Sequence, residues 1–442
     1  MDFTESFKQS LNLCRFSPDL KYLAIALENA VVVRETETFQ VSFEFKQTSN
    51  IQSLEWSPDS TLVLAANFAN GEIVIRDVND PTWKRNIREG PAGLMNVKWN
   101  PDSRSVMCFS DFQLRITIWS LITNKGYYIQ DPKYHNKGFC FREDPPCFIL
   151  AERRECKDYI GVYKCNTDDW KLINVFQVDT VDLDNFALSP NGQYIVVWEN
   201  CIWYKIIMYT LDGQCVGNFS IDNEGLGVKS IAWSPSSKLV AVGGYDQKIR
   251  LFNNHTWTPI KELMHSSRIK DTQNLKIWKE AREYSPGLGR FIVKYDLIEK
   301  PIEVPLMQPS EMKPNPKSGV GTCKFNANGS LIVTLNDNMP NCLWIWDVNH
   351  LNLIALIIQL NSVKNFYWNP VEADKLVICC GNEFVYFWCG QDQGTEIIEV
   401  PSVNFKVYNM SWRSDGKSIL MMDKTRFCVS FITDRDNSEL SE

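Results

Sequence analysis

Short runs of alternating apolar and polar residues, each closed by a polar turn, recur along this chain. In Ile51-Gln-Ser-Leu-Glu-Trp56 the alternation has the two-residue period of a half-buried strand. Ser57-Pro58-Asp59-Ser60 then reverses direction, because proline presets φ and the Asp and Ser side chains bond back to nearby amides. Thr61-Leu-Val-Leu-Ala-Ala66 is almost wholly apolar and predicts a strand buried on both faces. Asn70-Gly71 marks a tight hairpin, Glu72-Ile-Val-Ile-Arg-Asp77 a third strand and Thr82-Trp-Lys-Arg-Asn-Ile87 a weaker fourth.

The same plan repeats. A hydrophobic anchor before such a turn stands at Phe16, Trp56, Trp99, Leu188, Trp233 and Trp412, with looser copies at Phe141, Phe325 and Trp368. The nine anchors lie 40, 43, 42, 47, 45, 92, 43 and 44 residues apart. A period of ~40–45 residues built from four short strands is the signature of WD40-type blades. The expected fold is therefore all-β: one closed WD40-type β-propeller of about nine four-stranded blades over residues 1–433, then a polar tail, 434–442. Two smaller propellers are the alternative, but nine anchors are too few for two rings of ordinary size. The last unit offers only three strands, Asn409-Met-Ser-Trp412, Ser418-Ile-Leu-Met-Met422 and Phe427-Cys-Val-Ser-Phe-Ile432. Asp2-Phe-Thr-Glu-Ser-Phe-Lys-Gln9 can supply the fourth, closing the ring and covering an open strand edge.

One interval is doubled, between Trp233 and Phe325. It contains Leu275-Lys-Ile-Trp-Lys279, Arg290-Phe-Ile-Val-Lys-Tyr-Asp296 and a proline-rich run, 301–316. These predict a strand-bearing insertion at about 266–313 rather than a tenth blade. Trp346-Asp347 is the single Trp-Asp pair, and no Gly-His pair occurs among His135, His255, His265 and His350. The His–Asp side-chain network of many such blades is thus expected to be mostly lost.

Composition narrows function by exclusion. A net charge of −7 argues against a protein that wraps nucleic acid. No secretory signal is evident, and no run approaches the ~18 apolar residues of a membrane span. Fourteen Cys without a Cys-x-x-Cys pair read as buried free thiols, not zinc ligands. The four His form no His-x-x-x-His pair, and Gly319-Val-Gly321 is too short for a dinucleotide fingerprint. Neither enzyme activity, nor a cofactor, nor a metal is expected.

Several segments are more specific than a generic blade. Leu114-Arg-Ile-Thr-Ile-Trp-Ser-Leu121, Ala151-Glu-Arg-Arg-Glu-Cys-Lys-Asp-Tyr159, Val228-Lys-Ser-Ile-Ala-Trp-Ser-Pro-Ser-Ser237 and Asn336-Asp-Asn-Met-Pro-Asn-Cys-Leu-Trp-Ile-Trp-Asp347 carry the likeness. Through them the chain, from Met1 to about Ile432, resembles the WD-repeat protein eight family of centrosomes and spindle poles. The resemblance implies a cytoplasmic and cytoskeletal, non-catalytic adaptor at the microtubule-organising centre. It implies a coiled-coil microtubule-anchoring protein as partner and, in fungi, a minus-end-directed kinesin. In animals it implies work at centriolar satellites, in spindle organisation and in cilium assembly. It supplies no catalytic residues.

Two stretches stand out as candidate partner-binding surfaces. Arg153, Arg154, Lys157 and Asp158 fall at a hairpin tip, where Arg forks suit an acidic segment, although a buried ion-paired turn fits as well. In Val197-Trp-Glu-Asn-Cys-Ile-Trp-Tyr204, Trp203 and Tyr204 adjoin a tight connection, and an exposed aromatic there suits a partner helix. Ordinary blade packing is the competing reading for Trp198 and Tyr204. Asp182 and Asp184 read as surface turns. A ribosome-binding translation-factor propeller is an alternative, but it predicts a basic C-terminal extension that the acidic 434–442 does not provide. A ubiquitin-ligase substrate receptor is another, but Trp346-Asp347 runs on into Val348-Asn349 and lacks the Trp-Asp-x-Arg box.

Overall fold

Every anchor ends, or lies at the end of, an innermost strand of a computed structural model that describes residues 1–166, 169–221, 225–270, 274–287, 289–309 and 317–432. Ser53–Trp56, Asn96–Trp99, Asn365–Trp368 and Asn409–Trp412 are the clearest cases. Three further strands follow outward through antiparallel hairpins, as in Ser53–Trp56, Leu62–Asn67, Glu72–Asp77 and Lys84–Arg88. Nine such sheets form, here called blades 1 to 9, beginning near residues 14, 53, 96, 139, 183, 228, 320, 365 and 409. Helix is confined to single turns at Asp111–Gln113 and Gly390–Gln393 among the described residues. The tail expected at 434–442, and 310–316 of the proline-rich run, lie outside the described residues.

Each blade is packed between two others, which is why its middle strands are apolar throughout. All six residues of Leu62–Asn67 are buried, whereas the outer Lys84–Arg88 alternates exposed and half-buried positions. One apolar cluster fills each blade–blade contact. Trp56 joins Ala24, Val31 and Val33 of blade 1 to Val63 and Val74 of blade 2. Cys14, Leu23 and Ile25 of blade 1 meet Leu420, Phe427 and Val429 of blade 9, so the ring is closed. The N-terminal residues complete blade 9 as its outer strand, with Asp2 opposite Phe431 and Phe7 opposite Phe427. Phe7 is stacked 5.7 Å from Phe39 and 5.4 Å from Phe427.

The recurrent turn motif is a staple between blades. Its fourth residue has positive φ, at Leu20 (65°), Ser60 (64°), Ser103 (58°), Ser237 (59°), Gly192 (66°) and Gly416 (71°), the left-handed region that glycine enters most readily. The hydroxyl of Ser60 accepts the Asp19 amide of the preceding blade at 2.9 Å, and Ser103 and Ser237 repeat the bond with Asp59 and Asn191. Anchor indoles reach back as well. Trp56, Trp233, Trp368 and Trp412 donate to the carbonyls of Arg15, Ala187, Lys324 and Tyr367, each one residue before the preceding anchor.

The doubled interval is an insertion in the linker between blades 6 and 7. Lys276–Ser285 runs parallel to Asn352–Ile358, the fourth strand of blade 7, and Arg290–Leu297 returns antiparallel, making that sheet six-stranded. Trp278 and Tyr295 pack into the core between blades 7 and 8. One part of the lost side-chain network survives just before the insertion. Trp346 donates to the Thr334 hydroxyl at 3.0 Å, and that hydroxyl lies 2.9 Å from His265 Nε2. His265 Nδ1 lies 2.9 Å from the Gln247 carbonyl. The carbonyl can only accept, so Nδ1 carries the proton and Nε2 takes the Thr334 hydrogen. The network escapes a Gly-His search because Met264 precedes the histidine and 69 residues separate it from Thr334.

Candidate interaction rim

The hairpins between second and third strands, and the linkers between blades, share the face opposite the anchor turns. On blades 4 and 5 this rim brings together the two stretches singled out in the sequence. Cys147–Arg154 and Lys157–Asn166 form a long hairpin closed by Glu155 and Cys156, both with positive φ, so Arg153 stands directly opposite Asp158.

Asp158 is fully buried. Its Oδ1 accepts from Lys133 Nζ and from Arg153, each at 2.9 Å, and its Oδ2 from the Leu183 amide at 2.7 Å and the Thr180 hydroxyl at 3.1 Å. Lys133, itself buried, and Arg153 also bond Asp182 Oδ1 at 2.8 and 3.1 Å, while Asn200 donates to Asp182 Oδ2 at 3.0 Å. Burial opposes ionisation of Asp182, but the Lys133 and Asn200 hydrogen bonds and the nearby cations win and hold its pKa below the ordinary value. Two carboxylates and two cations thus form a neutral clasp between blades 4 and 5. Arg154 is engaged too, by buried Glu152, which also accepts from the Tyr163 hydroxyl. Burial raises the Glu152 pKa, its hydrogen bonds acting against that.

The clasp corrects part of the expectation. Asp158 cannot meet a partner, and each Arg already gives one terminal nitrogen to the chain's own carboxylates, so the ion-paired turn is the reading the geometry supports over capture of an acidic segment. Arg153 and Arg154 are half-buried, and Lys157 is exposed. Tyr204 is turned inward, with the Arg250 guanidinium 4.7 Å from its ring centre, and burial pushes its pKa up to about 12. Asp182 is no plain surface turn. Neither it nor Lys133 was marked by any motif, because their roles depend on groups from other blades.

Trp203 is different: 59 % of it is exposed, beside Ile202 at 61 % and Val181 at 73 %. The loop that carries it is held from both sides. Asn200 donates its amide to Asp182, the amides of Val181 and Asp182 bond Glu199, and Gly227 donates to the Cys201 carbonyl at 2.7 Å. A Cβ at Gly227 would lie 2.1 Å from the Trp203 carbonyl oxygen, so only glycine fits there. An apolar cluster on a fixed backbone suits recognition. Every cysteine with a resolved shift is shifted upward by burial, as at Cys140 and Cys379, both pushed up to about 12.

The comparisons agree with this architecture. The family model described as "WD domain, G-beta repeat" matches residues 213–253. WD repeat-containing protein WRAP73 of Mus musculus is 36 % identical over 454 aligned residues, covering 99 % of this chain and 97 % of its own length. An uncharacterized WD repeat-containing protein of Schizosaccharomyces pombe is 21 % identical over 100 % of this chain and 95 % of its own. Among solved structures, the C-terminal WD40 domain of Sif2 superimposes with a TM-score of 0.52 at 12 % identity, covering 98 % of this chain and 99 % of that one, a likeness of fold alone. The chain belongs to the WD repeat-containing family of WRAP73.

Proposed function

We propose that this protein is a non-catalytic scaffold of the cytoplasm and cytoskeleton that works at the centrosome or spindle pole. Its partner is a coiled-coil microtubule-anchoring protein, and through that complex it serves spindle organisation, microtubule anchoring and cilium assembly. The observation that carries this reading is the end-to-end match to WRAP73, together with the resemblance of 151–159 and 336–347 to centrosomal WD-repeat proteins. An exposed apolar cluster on the rim supports the reading. Trp203, Ile202 and Val181 offer a helix an apolar seat of the kind that dominates interface energies, with Arg153, bonded to Asp182, beside it.

The test is proximity labelling with localisation, comparing wild type with Ile202→Ser/Trp203→Ser. Wild type should concentrate at the microtubule-organising centre and label a coiled-coil protein there. The double variant should lose that label while melting like wild type. Diffuse wild-type staining with no pericentriolar protein recovered would overturn the proposal.

A further inference from the structure

The central channel has a chemistry of its own. Inner strands alternate, so the residue before each anchor faces the axis and meets its counterparts on neighbouring blades. Glu55 is ion-paired with Lys98, and Lys324 Nζ lies 4.3 Å from the centre of the Tyr367 ring. On the anchor-turn face the channel opens into a cavity of about 740 Å³ whose wall includes Trp233, Phe325, Tyr367, Trp368, Trp412 and Lys324. The indole nitrogens of Trp233, Trp368 and Trp412 already donate to backbone carbonyls, so these rings offer the cavity only apolar faces and edges.

Charge along the inner strands of the channel runs against that of the chain. Within a protein of net charge −7, this ring of positions carries Arg15, Lys98 and Lys324 against Glu55. Lys98 neutralises Glu55. Arg15 bonds the carbonyls of Cys14 at 2.8 Å and Asn12 at 3.2 Å, and Lys324 bonds the Phe366 carbonyl at 2.9 Å. Among the described residues neither cation meets a carboxylate. Burial lowers the Lys324 pKa, the sign of an ammonium short of a counter-ion, and the Arg15 charge is felt at Tyr367.

We propose that the turn-face mouth of the channel binds an acidic peptide segment, with an apolar side chain among Trp233, Phe325, Trp368 and Trp412 and a neighbouring carboxylate on Lys324. The carboxylate supplies the missing counter-ion, and charge-assisted hydrogen bonds to it are stronger than those to the present carbonyls. Two cations in an acidic chain do not make the basic stripe that a nucleic-acid backbone requires. The mouth lies on the face opposite Trp203, so this site stands or falls independently of the rim.

The probe is fluorescein-labelled Gly-Glu-Leu-Glu-Glu-Gly, titrated with the full chain and followed by anisotropy. Controls are the same peptide with Lys for each Glu, the peptide with Ser for Leu, and a thymidine hexanucleotide. Saturable binding of the acidic peptide is expected, weakened about ten-fold by Lys324→Gln, the loss of one hydrogen bond to a charged group. Trp203→Ser should leave it unchanged, and Lys324→Gln should melt like wild type. Failure of the acidic peptide to bind, equal affinity for either control peptide, binding unmoved by Lys324→Gln, or tighter binding of the hexanucleotide would each overturn the proposal.

Discussion

His265 is buried against Trp344 and Trp346, with ring centres 5.2 and 5.9 Å away, and both of its nitrogens are committed. Protonating Nε2 would destroy the bond from Thr334 and place a charge in the contact between blades 6 and 7. Burial, the larger cause, outweighs the favourable Gln247 hydrogen bond and lowers the pKa from 6.5 to about 4. A base whose folded pKa lies below its unfolded one stabilises the fold fully above pH 6.5, and that stabilisation drains away as pH falls toward 4. The interval corresponds to about 3 kcal/mol in total, of which about 2 kcal/mol is gone by pH 5. His265→Asn keeps a donor for Gln247 but does not titrate. At pH 7.5 it should cost about 2 kcal/mol through lost packing and an orphaned Thr334 hydroxyl. Urea denaturation followed by tryptophan fluorescence at pH 7.5, 6.5, 5.5 and 5.0 measures the gap between wild type and variant. That gap should close by about 2 kcal/mol on going to pH 5. A gap that stays constant across this range would refute the argument, because it would mean that His265 binds protons equally well in both states.

Asp158→Asn should cost about 3 kcal/mol, because Lys133 and Arg153 then share a single carboxylate in a buried place; an unshifted urea midpoint would show that the clasp is dispensable. Deleting residues 2–8 removes the outer strand of blade 9 and the Phe7 stack. The expected cost is about 3 kcal/mol. Light scattering should also rise on warming, since the Arg426–Phe431 edge is laid open. Gly227→Ala should lower stability by about 1–3 kcal/mol by pushing on the Trp203 carbonyl. It should reduce capture of the rim partner as well, whereas a variant with unaltered melting and capture would show that the loop yields freely.

Two of the four segments that carry the family resemblance serve the frame of the molecule. The 151–159 hairpin holds blades 4 and 5 together through Asp158, and 336–347 contributes Trp346, while Asn336 donates to the Gln247 side chain at 3.0 Å. Their unusual sequences reflect contacts between blades as much as any surface. Of the candidate residues, Trp203 is presented to solvent and Tyr204, its neighbour, is not. Strand alternation turns adjacent side chains to opposite sides, but which side meets water depends on the next blade.

Local chemistry decided the repeat. Turn residues and alternation are properties of stretches of ten or fewer residues and specify strands and hairpins, and their recurrence along the chain gives the number of blades without reference to any tertiary contact. The same reading found the N-terminal strand, because blade 9 lacked an outer member. The insertion's parallel pairing, the His265 network, the Lys133–Asp158–Asp182 clasp and the cation-bearing channel mouth were decided by the closed ring. Each joins groups far apart along the chain, 69 residues for His265 and Thr334 and 79 for Lys276 and Ala355, and no local pattern records which side chains a circular stack of sheets will bring within hydrogen-bond reach.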